Sequence, residues 1–225
     1  MVRPDHVLLD RHEPPGAPPL MRESFGGRKT RQMSRNVYFV THPDVVIDPA
    51  TPVPQWPHSD RGRSRMRRFL GQAWMPHVAA LYCSTEQKAI DGAAILADAL
   101  GMSFHPVAAL GENDRSATGY LPQREFEATV DAFFARLTEC VRGWERALDA
   151  QARIIEAVEQ IVSLAPGTGS IVAVSHGGVG ALLLCHLKGV PISRTEEQPG
   201  AAGGNYFLFQ MPTSTLVHTW KAIDA

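Results

Sequence analysis

The chain has 225 residues, a formal net charge of −1, 44% hydrophobic residues and 20% charged residues. This length favours one large domain over two small ones, and the composition excludes a chain that is disordered throughout. A nucleic-acid binder usually has a clear excess of basic residues, so the charge argues against that class. No apolar run is long enough to span a membrane, and no N-terminal apolar segment is typical of a secretory signal. The three cysteines form no CxxC pair, which favours reduced thiols in the cytoplasm.

The N-terminal residues 1–35 differ from the rest of the chain. They contain two Pro-Pro pairs and a Gly-Gly pair, and they show no helical periodicity. This pattern predicts a disordered tail over 1–35, followed by a folded domain over 36–225. Met33 stands directly before the first convincing strand, so we expect it to be the native start of the protein.

From residue 36 onward, short apolar segments alternate with segments of helical periodicity. The predicted strands are 37–41, 77–83, 104–110 and 170–175, followed by a closing hairpin of 206–211 and 215–220. The predicted helices are 60–71, 84–100, 123–137, 144–164 and 178–187, with Ser84 beginning the second of them. The alternation predicts an α/β fold, specifically a three-layer α/β/α sandwich with a mostly parallel sheet.

Polar side chains follow the predicted strands where ligands bind in such sheets, at their carboxyl ends. His42 ends the first strand, Lys88 lies one turn into the helix after the second, and His176 ends the fourth. Glu112 and Asp114 follow the third strand. Histidine can act as a nucleophile, and helix N-termini attract anions. The combination predicts phosphoryl transfer through a phosphohistidine.

Four blocks of the sequence, taken in order, resemble the histidine phosphatase, or phosphoglycerate mutase-like, superfamily. That family opens with a strand ending in Arg-His-Gly and continues with Pro-Leu-Thr-x-x-Gly-Arg, where this chain has VYFVTHP and PHSDRGR. The family's Ser-Ser-x-x-x-Arg-Ala corresponds here to CSTEQKA, and its late strand ending in His-Gly corresponds to VAVSHGG. The resemblance covers about 36–225 and includes a carboxylate after the third strand.

The resemblance implies a phosphomonoesterase that acts on a small phosphorylated substrate. His42 is the implied nucleophile, His176 and Lys88 hold the phosphoryl oxygens, and Glu112 or Asp114 is the general acid. Thr41 and Lys88 replace the two arginines that clamp the phosphoryl group in the family, and Pro43 replaces a glycine. Lysine keeps the charge but loses the bidentate geometry of arginine. Further candidate substrate-binding residues are Thr41, Ser84, Asp114, Arg115 and Gly177, of which Arg115 is a candidate for the missing charge.

Two alternatives remain open at the level of sequence. The loss of both clamp arginines is compatible with a catalytically weak or inactive relative that binds a phosphorylated ligand. Ser175 follows a strand and precedes a helix, as in the nucleophile elbow of serine hydrolases, but the first glycine of that motif is missing.

We expect no cofactor and no metal ion, because the histidines and cysteines show no metal-binding spacing.

Overall fold

The apolar segments of the sequence form six strands in the computed structural model, which describes residues 34–225. In chain order the strands are β1 Arg35–Thr41, β2 Val78–Cys83, β3 His105–Pro106, β4 Ser170–Ser175, β5 Asn205–Met211 and β6 Thr215–Ala222. They form one sheet in the order β3-β2-β4-β1-β5-β6. The first four strands along this order run parallel, and the C-terminal hairpin of β5 and β6 pairs antiparallel against β1.

Five α-helices flank the sheet within the described residues. They are α1 Asp60–Phe69, α2 Gln87–Leu100, α3 Gln123–Ala135, α4 Ala147–Leu164 and α5 Gly177–Lys188. Side chains of β1 alternate between the two faces, as strand geometry requires: Val37 and Phe39 pack in the same cluster as residues of α4 and α5, and Tyr38 and Val40 pack with residues of α1 and α2. The three-layer α/β/α sandwich with a mostly parallel sheet is therefore confirmed.

The third strand is shorter than the sequence predicts. Only His105–Pro106 pairs with β2, and the chain then turns into a 3-10 helix at Ala108–Leu110. Leu110 is fully buried, so the apolar run predicts burial correctly but not the strand conformation. A short apolar run does not by itself distinguish a strand from a buried turn.

Two predicted helix starts are also too early. Ser84 does not begin α2: its hydroxyl accepts a hydrogen bond from the backbone N–H of Glu86, and the helix begins at Gln87. Trp144 precedes α4 and has extended backbone angles, although its side chain is buried as the periodicity predicts.

β1 begins at Arg35, one residue before the predicted start of the folded domain at 36. The Arg35 guanidinium donates hydrogen bonds to three carbonyls that follow α4. The predicted tail up to residue 33 and the start at Met33 lie outside the described residues. Within 34–225, none of the helices combines the length and the apolar character that a membrane crossing requires.

Candidate active site

His42 lies directly after β1, beside the carboxyl end of the neighbouring parallel strand β4. Its backbone N–H donates to the carbonyl of Ser175 at 3.1 Å. Its ring Nδ1 lies 2.9 Å from the carbonyl oxygen of Pro43. A carbonyl oxygen can only accept, so Nδ1 carries the proton and Nε2 keeps its lone pair in the neutral ring. Burial, the adjacent His176 and the Lys88 ammonium hold the pKa of His42 well below its usual value, which favours this neutral form.

His176 lies between β4 and α5 and is completely buried. Its ring centroid is 5.3 Å from that of His42, and the two rings meet edge to face. Its Nε2 lies 3.3 Å from Oε1 of Glu86, yet neither ring nitrogen has a hydrogen-bond partner of good geometry among the described residues. Burial lowers the pKa of His176, although Glu86 and Glu112 act in the opposite direction. His176 is therefore a buried imidazole with free hydrogen-bonding capacity beside His42.

Lys88 lies in the first turn of α2, and its ammonium is buried. Its Nζ donates to the carbonyl of Val53 at 2.9 Å and lies 2.7 Å from Oε2 of Glu86. The structure therefore brings Lys88 to the same cluster as His42 and His176, but two acceptors of the chain itself already hold its ammonium.

Glu86 is a site residue that sequence reasoning missed. Its Oε1 accepts a hydrogen bond from the backbone N–H of Glu112 at 3.0 Å, and the same carboxylate contacts Lys88 and His176. Burial by itself would raise the pKa of Glu86, but His176 and Lys88 lower it to about 2. Only one feature of the sequence could have pointed to Glu86, which is its place two residues before Lys88. In the segment CSTEQKA it stands at a position where the family pattern specifies no residue.

Glu112 belongs to the loop after β3, and its carboxylate lies at the N-terminus of α5. Its Oε2 accepts from the backbone N–H of Gly178 at 3.0 Å, and its Oε1 accepts from that of Val179 at 2.9 Å. Burial opposes ionisation, but Arg115, His176 and the Gly178 N–H together hold the pKa of Glu112 below its usual value. The predicted role as general acid requires a protonated carboxyl, whereas these contacts favour the carboxylate. That role stays a prediction, and the free N–H groups expected at this helix terminus are partly occupied.

Arg115 and Asp114 both follow β3, but their side chains have different contacts. The Arg115 guanidinium packs against the Trp144 ring at 4.8 Å, donates to Oδ1 of Asn113 and lies 3.4 Å from Oε2 of Glu112. Arg115 therefore borders the cluster through Glu112. Asp114 is exposed, and its carboxylate accepts from the backbone N–H of Ser116 at 2.8 Å. The structure does not bring the Asp114 carboxylate into contact with the histidines.

Two serines near the strand ends serve the local backbone. Ser175 is completely buried, and its hydroxyl donates to the carbonyl of Leu110 at 2.7 Å. A serine nucleophile needs a base that takes its proton, and this contact supplies a carbonyl instead. The Ser84 hydroxyl is also buried and accepts from the backbone N–H of Glu86. The geometry thus gives the serine hydrolase alternative no support.

Residues 56–206 match the family model of the histidine phosphatase superfamily (branch 1). The chain belongs to the histidine phosphatase superfamily. The matched residues include Lys88, Glu112 and His176, and His42 lies upstream of them. No curated protein sequence matches the chain. Membership in this superfamily indicates a phosphatase- or mutase-type enzyme.

Solved structures of related proteins share the fold. The phosphate complex of mycobacterial glucosyl-3-phosphoglycerate phosphatase has a TM-score of 0.66 at 17% identity, covering 85% of this chain and 99% of that chain. YhfR of Bacillus stearothermophilus has a TM-score of 0.66 at 21% identity, covering 82% and 95% of the two chains. Phosphoglycerate mutase of Bacillus anthracis has a TM-score of 0.59 at 14% identity, covering 84% and 91%.

Thr41, which the sequence resemblance aligns with the first clamp arginine of the family, is completely buried. Its hydroxyl donates to Oε1 of Gln198 at 2.6 Å and accepts from the backbone N–H of Asn205 at 2.9 Å. The amide of Gln198 also lies against Gly177, where a Cβ atom would overlap its Nε2. Gln198 comes from the loop before β5, and no motif in the sequence pointed to it. The Thr41 hydroxyl is therefore held by Gln198 and Asn205, and its replacement of a clamp arginine stays a prediction.

The charges at the centre balance within the protein itself. Lys88 and Arg115 are cationic, and each has a carboxylate partner, Glu86 and Glu112 respectively. The two imidazoles are neutral when their pKa values are lowered. The two ion pairs therefore leave Lys88 and Arg115 neutralised by carboxylates of the chain itself.

Proposed function

We propose that the protein is a phosphomonoester phosphatase that works through a phosphohistidine on Nε2 of His42. The observation that carries this proposal is the contact between Nδ1 of His42 and the Pro43 carbonyl. It fixes the tautomer whose Nε2 lone pair is available for attack on phosphorus. Superfamily membership supports the reaction type. A lowered pKa supports a nucleophile that is unprotonated at neutral pH.

The reaction has two displacements at phosphorus. In the first, Nε2 of His42 forms a bond to phosphorus while the bond to the leaving oxygen breaks. The leaving oxygen takes a proton from Glu112, whose pKa rises when a phosphoryl dianion binds beside it. In the second, water attacks phosphorus, the N–P bond breaks, and the proton of water returns to Glu112. His176 and Lys88 hold the phosphoryl oxygens in both steps.

The substrate that fits this centre is a small phosphomonoester. A fold neighbour is named as a glucosyl-3-phosphoglycerate phosphatase, which is a precedent for such substrates in this fold. A mutase would have to retain a bisphosphorylated intermediate, and the balanced charges at the centre offer little for a second phosphate. We therefore favour hydrolysis over transfer, and we expect the protein to act in the cytoplasm.

The test measures phosphate release from a panel of phosphomonoesters by wild type, His42→Ala and Ser175→Ala. We expect His42→Ala to lose at least about a thousandfold in kcat, because the attacking atom is gone. Ser175→Ala should keep release, because its hydroxyl only donates to a backbone carbonyl. Quenching in alkaline denaturant during turnover of labelled substrate should leave an acid-labile, base-stable label on wild type and Ser175→Ala but not on His42→Ala. Equal release by wild type and His42→Ala would contradict the mechanism.

A second candidate function is the binding of a phosphorylated ligand without turnover. The observation that favours it is the pairing of Lys88 with Glu86, which neutralises the ammonium that the transition state would use. This candidate predicts that phosphorylated ligands raise the melting temperature of wild type while no substrate releases phosphate. Release that depends on His42 would exclude it.

A further inference from the structure

The carboxylate of Glu86 is held by the groups that a phosphoryl anion would use. It contacts the Lys88 ammonium at 2.7 Å and Nε2 of His176 at 3.3 Å, and it accepts from the Glu112 N–H at 3.0 Å. The groups around this carboxylate are an ammonium, an imidazole and a backbone amide, which also form anion sites for phosphate. Lys88 and His176 are the same side chains that the proposed function assigns to the transferring phosphoryl group.

We propose that Glu86 is a specificity-determining residue whose carboxylate occupies the phosphoryl position between Lys88 and His176, so that a substrate must displace it in order to bind. The inference rests on the proposed function, because it takes that function's phosphoryl site as its starting point. Glu86 thereby discriminates against free inorganic phosphate and other small anions, and it selects phosphomonoesters whose remaining part contributes binding energy.

Electrostatic repulsion prevents the Glu86 carboxylate and a phosphoryl dianion from occupying the site together. A phosphoryl dianion beside Lys88 would face the Glu86 carboxylate in a centre that is largely closed to water, where like charges repel more strongly than in bulk solvent. Lys88 is buried, and its one ammonium group cannot neutralise three negative charges. The dianion therefore competes with Glu86 for Lys88 rather than joining it.

The backbone around Glu86 allows its side chain to leave. Glu86 precedes the first residue of α2 and has extended backbone angles, and its side chain makes no capping hydrogen bond to that helix. The side chain is 14% exposed, so a path to solvent exists at its edge. A bound ester can use contacts of its non-reacting part to offset the cost of this displacement, which inorganic phosphate cannot do.

The experiment measures the binding of inorganic phosphate by titration calorimetry to wild type, Glu86→Gln and Glu159→Gln. Glu159 is exposed on α4, so Glu159→Gln removes the same charge away from the cluster. We expect Glu86→Gln to bind phosphate about ten- to a hundredfold more tightly than wild type, because the internal competitor for Lys88 is gone. Glu159→Gln should bind within about twofold of wild type, as a distant exposed charge is screened.

Dependence on Lys88 separates this explanation from a general gain in positive charge. Adding Lys88→Met to Glu86→Gln should abolish the gain in phosphate affinity, because the freed ammonium is its source. A phosphate affinity of Glu86→Gln equal to or weaker than that of wild type would overturn the proposal. A gain that survives in the double variant would overturn it as well.

A crystal structure of wild type at saturating phosphate gives a second measurement that does not depend on any variant folding. We expect phosphate within hydrogen-bond distance of Lys88 and His176, with the Glu86 carboxylate turned away. A Glu86 carboxylate that stays on Lys88 would contradict the displacement. The proposed function is tested by phosphate release that depends on His42. It can therefore fail while these binding results hold, and the binding results can fail while the proposed function holds.

Discussion

His58 is a buried histidine outside the proposed chemistry. Its side chain is fully buried near Met66 and Gly92, and neither ring nitrogen has a hydrogen-bond partner among the described residues. It occupies the second position of PHSDRGR, where the family pattern has leucine. Burial lowers the pKa of His58 to about 4, against an unfolded value of about 6.5. The folded protein therefore holds His58 neutral at pH values where the unfolded chain binds a proton.

The lowered pKa makes the free energy of unfolding depend on pH in a defined window. The stability that comes from keeping His58 neutral is fully present above about pH 6.5 and is lost as the pH falls towards 4. At pH 5 the free energy of unfolding is lower by about 2 kcal/mol for this reason. We expect His58→Leu to remove this loss, because leucine fills an apolar site and does not titrate. The measurement is urea unfolding at pH 7 and pH 5, with the exposed His77→Leu as control. Identical losses in wild type and His58→Leu would contradict the prediction.

At the scale of elements, α1 determines where the loop before β5 lies against His42. Arg65 of α1 donates to Asp44 at 2.9 Å, to Asp224 at 3.0 Å and to the carbonyl of Gly204 at 3.2 Å. The backbone N–H of Gly204 in turn donates to the carbonyl of His42 at 3.0 Å. One buried guanidinium thus links a helix, the C-terminal segment and the backbone that carries the proposed nucleophile.

We expect Arg65→Met to lower the free energy of unfolding by about 3–5 kcal/mol, because it leaves two carboxylates without their buried partner. Arg61 also pairs with Asp44, but its side chain is 73% exposed. Arg61→Met should therefore cost less than about 1 kcal/mol. Urea unfolding of both variants at neutral pH measures the difference. Similar losses in the two variants would show that burial of Arg65 does not determine its contribution.

The sequence predicts an element correctly where the conformation of that element depends on its own residues rather than on distant contacts. β1 and β4 have apolar centres that contain several β-branched residues, and they form as expected. The segment 104–110 is also apolar, but it fails as a strand because its buried residues pack under α4 from a 3-10 turn. The predicted start of α2 at Ser84 is wrong for a related reason. Glu86 has extended rather than helical backbone angles, and its carboxylate contacts residues that lie far away in sequence.

At the scale of the whole molecule, topology explains which part of the candidate site was predictable. Parallel strands bring their carboxyl ends to one edge, so His42, Lys88 and His176 meet there as the strand pattern predicts. Of the two carboxylates that neutralise this edge, Glu112 was predicted from its place after the third strand, whereas Glu86 was not. The contacts of Glu86 with His176, and of Glu112 with α5, join segments more than 60 residues apart, and no local pattern encodes them.

The N-terminal boundary of the folded unit gives the last prediction. The Arg35 guanidinium donates to the carbonyls of Ala165, Pro166 and Gly169, and its backbone pairs with Met211. We expect a chain of residues 33–225 to match the full chain in free energy of unfolding within about 0.5 kcal/mol. A chain of residues 36–225 should lose about 3 kcal/mol, because the carbonyls after α4 lose charge-assisted hydrogen bonds. Urea unfolding of the three chains at neutral pH measures this. A loss of more than about 1 kcal/mol already in 33–225 would place part of the fold's stability upstream of Met33 and contradict the predicted boundary.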